Sequence, residues 1–283
     1  MELSVVIPTY NGKKLLESNL HKQLSNIGEI IIVDNASTDD TRKYIASNHN
    51  QVTYIRLKKN YGFTKAVNTG VKTAHNDLVL ILNNDCLIDH NNLKKLIQFM
   101  HQNTQFCATQ PIVFRQDSNK IENIGYFINL KNGKAKIITD TKILKPTSQR
   151  GEQVQNDLTD QKNIFQKGNV YGLSATCLLI RKDIFLKNGM FDESFHSYLE
   201  DVDFFIRLAK KGYRYAPCLN AYVKHKHMAT SSKMGSYKEL HDLTNWIRII
   251  IKNYPLWFIL LHFPTLFFER LRNLSGYLKK ATF

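Results

Sequence analysis

The sequence predicts an α/β fold: a mainly parallel, Rossmann-like sheet with helices on both faces, followed by a helical C-terminal segment. Two observations predict it. Short apolar, β-branched runs alternate with stretches of helical periodicity along the N-terminal part, and each run stops abruptly at a polar cluster. Strands that alternate with helices pair in parallel, are covered on both faces, and bind ligands beyond their carboxyl ends.

The elements follow in order. Leu3-Ser4-Val5-Val6-Ile7 is an apolar run closed by Pro8; Thr9-Tyr10-Asn11-Gly12 is a turn signal, after which Leu15, Leu16, Leu20 and Leu24 recur near helical spacing. Glu29 to Val33 is a second run, ending in Asp34-Asn35, and Ser37-Thr38-Asp39-Asp40 offers caps for a helix through Tyr44 and Ile45. Val52 to Leu57 alternates as a third strand, and Phe63 to Ala74 reads as a helix. Leu78 to Leu82 is a fourth strand, apolar on both faces, that stops at Asn83-Asn84-Asp85. Tyr10-Asn11, Asp34-Asn35 and Asn83-Asn84-Asp85 are therefore expected to converge on one crevice. From about Lys131 to Lys167 the chain is polar and weakly periodic, which predicts long loops or a segment ordered on binding. Structure resumes in a run from Gly172 to Ile180, and Glu200 to Lys211 reads as a helix closed by Gly212.

The 283 residues are 43% hydrophobic and 22% charged, which supplies a core and excludes disordered and fibrous classes. The four cysteines, Cys86, Cys107, Cys177 and Cys218, form no CxxC pair and sit in apolar runs, so a reducing compartment is expected. Met1-Glu2-Leu3-Ser4 enters a strand with no signal-like segment, and the active face is expected in the cytoplasm. A net charge of +15 suits an anionic partner: nucleic acid, a phosphorylated substrate or an acidic lipid surface. The basic residues are scattered and no nucleic-acid motif is present, so nucleic acid is not expected. No GxGxxG follows the first strand, which argues against a dinucleotide-dependent dehydrogenase.

Four clusters carry chemistry. Asp34 and Asn35 can hydrogen-bond a nucleobase and ribose, with Tyr10 stacking on or flanking the base, although Asp and Asn also end strands for local turn reasons. Asn83-Asn84-Asp85 leaves a buried strand and offers oxygen ligands to a hard divalent ion bridging a diphosphate; a capped loop without ligand is the alternative. Glu200-Asp201-Val202-Asp203 opens a helix, where acidic residues oppose the backbone dipole. That dipole is expected to keep Asp201 ionised, as a general base requires. His225-Lys226-His227 follows another strand-like run, and an imidazole beside Asp85 would make a mixed N/O site for Mn²⁺ or Mg²⁺, with the choice between His225 and His227 open.

These pieces, in this order, resemble the large family 2 of glycosyltransferases, particularly its rhamnosyltransferase-like members. The matching stretches are Val5 to Gly12, Val33 to Asp39, Asn60 to Gly70, Leu82 to Asp85, Gly189 to Phe195, and Tyr198 to Asp203 with Arg207. The likeness falters in the polar middle stretch. It implies a GT-A fold and inverting transfer from a nucleoside-diphosphate sugar to a glycan or lipid-linked glycan acceptor. By resemblance, Pro8, Thr9, Tyr10, Asn11, Asp34, Asn35, Asn60, Lys65, Asn83 and Asn84 would meet the nucleotide-sugar. Asn83 and Asp85 would occupy the DxD position, Asp85 and His225 would hold Mn²⁺ or Mg²⁺, Asp201 would be the catalytic base, and Tyr198 and Glu200 would face the acceptor. Two departures stand out: Asn83 replaces the first acid of DxD, and Asn35 stands where many members have a second Asp. They motivate a rival reading, a non-catalytic nucleotide-sugar-binding or membrane-assembly protein of the same fold.

The implied organisation is a catalytic domain over 1–235, with a nucleotide-binding half to about 110 and an acceptor half beyond it, then an amphipathic helical segment over 236–283. From Trp246 to Phe283 six Lys/Arg face one Glu amid aromatic and aliphatic residues. The longest apolar piece, Leu256 to Phe268, is broken by His262 and Pro264 and is too short to span a bilayer. Two readings follow: Trp246, Ile249, Ile250 and Tyr254 dock on the catalytic domain, or the segment touches anionic lipid at the inner face of the membrane.

Overall fold

The computed structural model describes residues 2–23, 28–141, 164–226 and 237–281. Leu24, His227 and residues 142–163 of the polar middle stretch lie outside them. The chain opens β1 (Leu3–Thr9), α1 (Lys13–Gln23), β2 (Glu29–Asp34), α2 (Thr41–Asn48), β3 (Thr53–Arg56), α3 (Gly62–Thr73) and β4 (Leu78–Leu82), the alternation that the periodicity predicts. It continues through β5 (Cys86–Leu87), α4 (His90–Gln102), β6 (Phe106–Thr109), β7 (Pro111–Arg115), β8 (Ile121–Asn123), β9 (Tyr126–Asn129) and β10 (Lys134–Ile137). Then come α5 (Ile164–Lys167), β11 (Asn169–Gly172), β12 (Cys177–Arg181), α6 (Lys182–Lys187), α7 (Glu200–Lys210), β13 (Arg214–Tyr215), β14 (Cys218–His225), α8 (Tyr237–Asn253) and α9 (Leu256–Ala281).

A seven-stranded sheet in the order β13-β6-β12-β4-β1-β2-β3 forms the centre. β1 pairs in parallel with both β2 and β4, and β2 with β3, while β12 runs antiparallel to β4 and β6. The chain thus winds outward from β1 to β3 and returns to the other side of β1 for β4. Such a reversal of strand order leaves a crevice at the carboxyl ends of the strands. Alternate side chains divide the core. Val6, Ile31, Val33 and Ile81 pack with Ala66, Val67 and Val71 of α3 on one face, and Val5, Ile7, Ile32 and Leu80 pack with Leu16, Leu20, Ile45 and Leu96 on the other. Each such fully buried aliphatic side chain contributes about 1.5–3 kcal/mol.

Two smaller sheets, β10-β9-β11 and β5-β14-β7-β8, stand beside the crevice. The run from Gly172 to Ile180 is not one strand. It divides into the end of β11 and most of β12, which belong to different sheets, because the polar residues 174–176 leave the ladder and turn their backbone groups to the crevice: Thr176 O accepts from Asn83 N at 3.1 Å and Ala175 N donates to Asp201 at 3.1 Å. Part of the polar stretch expected to be loop is strand, since Lys134-Ala135-Lys136-Ile137 alternates and pairs with β9.

The C-terminal helices hold α7 in place. Asp203 is fully buried and accepts from Arg207 Nε at 2.8 Å, Lys252 Nζ at 3.0 Å and Asn253 Nδ2 at 2.8 Å, which ties α7 to α8. Arg207 also donates to the carbonyls of Met190, at 2.6 Å, and Asn188. Asn245 of α8 reaches the carbonyls of Phe195, Ser197 and Tyr198 at 2.8–3.2 Å, which fixes the turn before α7. That turn holds His196, Tyr198 and Leu199 at positive φ, a conformation unfavourable to L-residues that persists only when its surroundings impose it. Asp203→Ala would leave Arg207 without its buried counter-ion. It is expected to cost about 3 kcal/mol in urea unfolding, and a cost near zero would mean the cluster does not hold the helices together.

Candidate active site

A cleft of about 670 Å³ opens at the carboxyl ends of β1, β2 and β4, within the size range of small-molecule sites. Pro8, Thr9, Tyr10, Asn35, Asn60, Asn83, Asn84, Asp85, Tyr198, Glu200, Asp201 and His225 line it together, although they come from six separate parts of the chain. The sequence also expects Asn11, Asp34 and Lys65 to meet the ligand; these three stand beside the residues that line the cleft rather than among them.

Each is engaged by protein partners. Asp34 is fully buried: Oδ1 accepts from the Ser37 backbone N–H at 2.8 Å and hydroxyl at 2.5 Å, and Oδ2 accepts from Arg56 Nη1 at 2.8 Å and from the Tyr54 hydroxyl. Its acceptor capacity is consumed by protein donors. Asn11 accepts from Thr38 N at 2.7 Å and donates its own N–H to Ser37 Oγ at 2.8 Å, joining the loops after β1 and β2. Lys65 Nζ lies 3.0 Å from Glu193 Oε2 and links α3 to the segment before α7. Asn35 does line the cleft, yet its amide spans the chain behind, donating to Gly62 O and accepting from Tyr61 N, both at 2.9 Å.

Close backbone approach shapes the floor. Asn84 Nδ2 donates to Thr9 Oγ1 at 2.8 Å, which joins the loops after β1 and β4, and a Cβ on Gly12 would stand 2.1 Å from that hydroxyl oxygen and 2.6 Å from the amide. Gly62, at φ +86°, lies where a Cβ would meet the His196 carbonyl at 2.4 Å. Only glycine permits both contacts.

One end of the cleft is acidic with an imidazole between two carboxylates. His225 Nε2 lies 3.2 Å from Asp85 Oδ1, and Nδ1 lies 3.0 Å from Glu122 Oε2. Burial would lower the His225 pKa, but the hydrogen bonds to Asp85 and Glu122 outweigh it and raise it to about 9. Asn83 Oδ1 is buried without a hydrogen-bond donor among the described residues, an expensive state unless a cation satisfies it, and the buried Asp85 Oδ1 has the His225 imidazole beside it. Two buried oxygens beside an imidazole that a second carboxylate orients fit a divalent ion with mixed N/O preference. Cys86 lies in the same cluster, but burial pushes its thiol well above the usual range, and Sγ donates to Thr176 O at 3.6 Å, so it stays a neutral neighbour.

The other functional end is the start of α7. Asp201 accepts from the Tyr126 hydroxyl, from Ala175 N at 3.1 Å and from Val202 N at 2.8 Å. The helix dipole was expected to keep Asp201 ionised, and here burial works against it: desolvation raises the Asp201 pKa despite these donors. Glu200, buried beside Asp201's charge, is pushed further, well above the carboxylate range. Burial thus acts on both carboxyls of the pair, and Asp201 has more donors to its charged form.

Sequence reading missed Glu122, Tyr126 and Asn245. Glu122 was detectable as the lone acid in the apolar stretch Ile121-Glu122-Asn123-Ile124; Tyr126 and Asn245 carry no local signal, since each acts on residues far along the chain.

The central, mostly parallel sheet with its helices is the fold of the GT-A glycosyltransferases. The mannosyltransferase PcManGT from Pyrobaculum calidifontis, solved in complex with GDP-Man and Mn²⁺, shares this fold with a TM-score of 0.59, covering 99% of this chain and 75% of its own at 14% identity. Residues 4–189 match the family model described as Glycosyl transferase family 2. The chain belongs to glycosyltransferase family 2 and is a glycosyltransferase. Among curated relatives, the low-salt glycan biosynthesis hexosyltransferase Agl10 of Haloferax volcanii is 22% identical over 249 residues, 86% of this chain and 74% of the relative. The N-acetylglucosaminyl-diphospho-decaprenol L-rhamnosyltransferase of Mycobacterium tuberculosis is 23% identical over 272 residues, 90% and 86% of the two chains.

Glu122→Ala is expected to weaken Mn²⁺ binding by roughly 10–100-fold in calorimetric titration, the usual effect of losing an outer partner of a metal-binding histidine. Unchanged affinity would remove Glu122 from the site.

Proposed function

We propose that the chain is an inverting, metal-dependent transferase that moves a sugar from a nucleoside-diphosphate sugar to a hydroxyl of a glycan or lipid-linked glycan. The observation that carries this reading is that Asp85, His225 and Asp201 line one cleft of nucleotide-sugar size. Asp201 serves as general base: it takes the proton of the acceptor hydroxyl as the acceptor oxygen bonds to the anomeric carbon. The bond from that carbon to the diphosphate breaks with its electron pair leaving on phosphate, and the configuration inverts. The raised pKa makes Asp201 a stronger base than an ordinary aspartate, and the Tyr126 hydroxyl and Ala175 N–H aim its oxygen. Burial and the Asp201 charge push Glu200 toward its neutral form, which lessens the repulsion between the two.

Asp85, His225 and Asn83 are the groups to hold Mn²⁺ or Mg²⁺, with Glu122 orienting the imidazole. When bound, the ion supplies charge stabilisation for the departing nucleoside diphosphate. Pro8, Thr9, Tyr10, Asn35, Asn60 and Asn84 form the nucleotide side, and Tyr198 and Glu200 the acceptor side. The relatives' names, a hexosyltransferase and an L-rhamnosyltransferase acting on a diphospho-decaprenol acceptor, support a hexose or deoxyhexose donor and a lipid-linked acceptor. A binding-only role is less well supported, because the Asn35 amide is engaged by backbone rather than left as a damaged catalytic contact.

Asp201→Asn should lower kcat by about 10²–10⁴-fold while nucleotide-sugar affinity survives. Full turnover in that variant would end the assignment. Tyr126→Phe removes a donor that favours the ionised carboxylate, so the Asp201 pKa rises. Because the base works ionised, the acid limb of kcat/KM should move to higher pH, by about one unit for the loss of one charge-assisted bond. An unmoved limb would show that Tyr126 does not tune the base.

A further inference from the structure

The outer face of α9 has no role in the chemistry above. Its inner positions are conventional: Phe258 and Leu266 are buried and pack with Trp246, Ile249 and Tyr254, so the docking expected for this segment does occur. A surface helix should then turn polar on its opposite side. This one does not. Leu256, Trp257, Leu260, Leu261, Phe263 and Phe268 are exposed by 54–71%, and no charged side chain interrupts the sequence from Leu256 to Phe268. Thirteen helical residues make a strip roughly 20 Å long, far more apolar than the isolated hydrophobic residues common on soluble surfaces.

We infer that this face docks on an anionic lipid bilayer, with α9 lying in the interface plane. Three features select lipid over a protein partner. The strip offers almost no hydrogen-bonding groups, since its one hydroxyl, on Thr265, already donates to Lys131 O at 2.6 Å, whereas protein interfaces carry about one hydrogen bond per 100–200 Å². Directly after the apolar half the helix turns basic, with Arg272, Lys279 and Lys280 against Glu269, and Glu269 is largely covered and paired with Arg272. An aromatic and aliphatic strip continuous with cations complements acidic headgroups, in a chain of net charge +15. The helix lies on the bilayer rather than through it, because no described helix is long and apolar enough to cross one.

Position in the fold gives the contact a use. Arg270, Arg272 and Asn273 of the same helix form a wall of the catalytic cleft, so docking brings that side of the cleft to headgroup level. Resting on the transferase reading, this lets an acceptor anchored in the bilayer reach Asp201 without leaving it.

The test uses the full chain and vesicles of phosphatidylcholine with or without phosphatidylglycerol, in the absence of substrate. Of the two tryptophans, Trp246 is buried and Trp257 is exposed, so only Trp257 should report lipid. The expected result is co-sedimentation with the phosphatidylglycerol vesicles, weakened by salt, and a blue shift of emission that Trp257→Phe removes. The double variant Leu260→Glu/Phe268→Glu should lose binding by roughly tenfold or more with its melting temperature and nucleotide-sugar affinity unchanged. Undiminished binding by that variant, or wild-type chain left in the supernatant at low salt, overturns the proposal. So does a dimer in sedimentation velocity that the same variant converts to monomer without any vesicle affinity, which would make a second copy the occupant. Lipid binding by a chain without transferase activity would instead strike at the catalytic assignment and leave this inference standing.

Discussion

Parallel pairing of β1 with β2 on one side and with β4 on the other sets where every polar group of the cleft can be. The register puts Thr9 beside Asp34, and both strands release their chains at the same level. Because the path winds away from β1 in one direction and resumes on its other side, a crevice is left at the carboxyl ends of these strands. Asn84 and Thr9 then close the floor of that gap with a hydrogen bond that depends on the absence of a side chain at Gly12. Slipping β4 by one residue would send Leu82 toward the opposite face and undo the alternation that both sides of the core rely on.

Charge burial is the second constraint. Asp34, Asp85, Glu200, Asp201 and Asp203 all lie at or beneath the cleft, where an unpaired carboxylate is costly. The fold resolves each differently. Asp34 and Asp203 are surrounded by donors and cations and act as anchors for neighbouring segments. Glu200 is pushed toward its neutral form by burial and by its neighbour. Asp201 keeps donors on both oxygens and one side toward the cleft, and Asp85 meets the His225 imidazole at 3.2 Å at the cleft's acidic end. Acids with satisfied partners hold the structure, while those with capacity to spare face the ligand space.

The same distinction explains how much was legible in the sequence. Strand and helix alternation, the polar strand ends and their convergence follow from periodicity and the topology of parallel sheets, and residues 3–82 were read nearly as they fold. Residue type alone does not reveal that Asp34, Asn11 and Lys65 anchor neighbouring segments. Their partners, Tyr54, Arg56, Thr38 and Glu193, had to be seen in space. Glu122 and Tyr126 complete the site from short strands with weak patterns of their own, and the division of the run from Gly172 to Ile180 between two sheets is a tertiary decision that no local propensity encodes. The C-terminal helices were ambiguous because both faces of α9 are apolar: one covers the core beside α8 and the other remains open.

The central claim is that one bound nucleotide-sugar meets Asp85 and His225 at its diphosphate and Asp201 near its anomeric carbon. A crystal structure of the chain with a nucleoside-diphosphate sugar and Mn²⁺ tests it most directly. The account predicts density for the ion between Asp85 and His225, the diphosphate beside it, and the sugar directed toward the Asp201 carboxylate. Nucleotide bound away from Asp85, or a sugar turned from Asp201 toward the opposite wall, would contradict it.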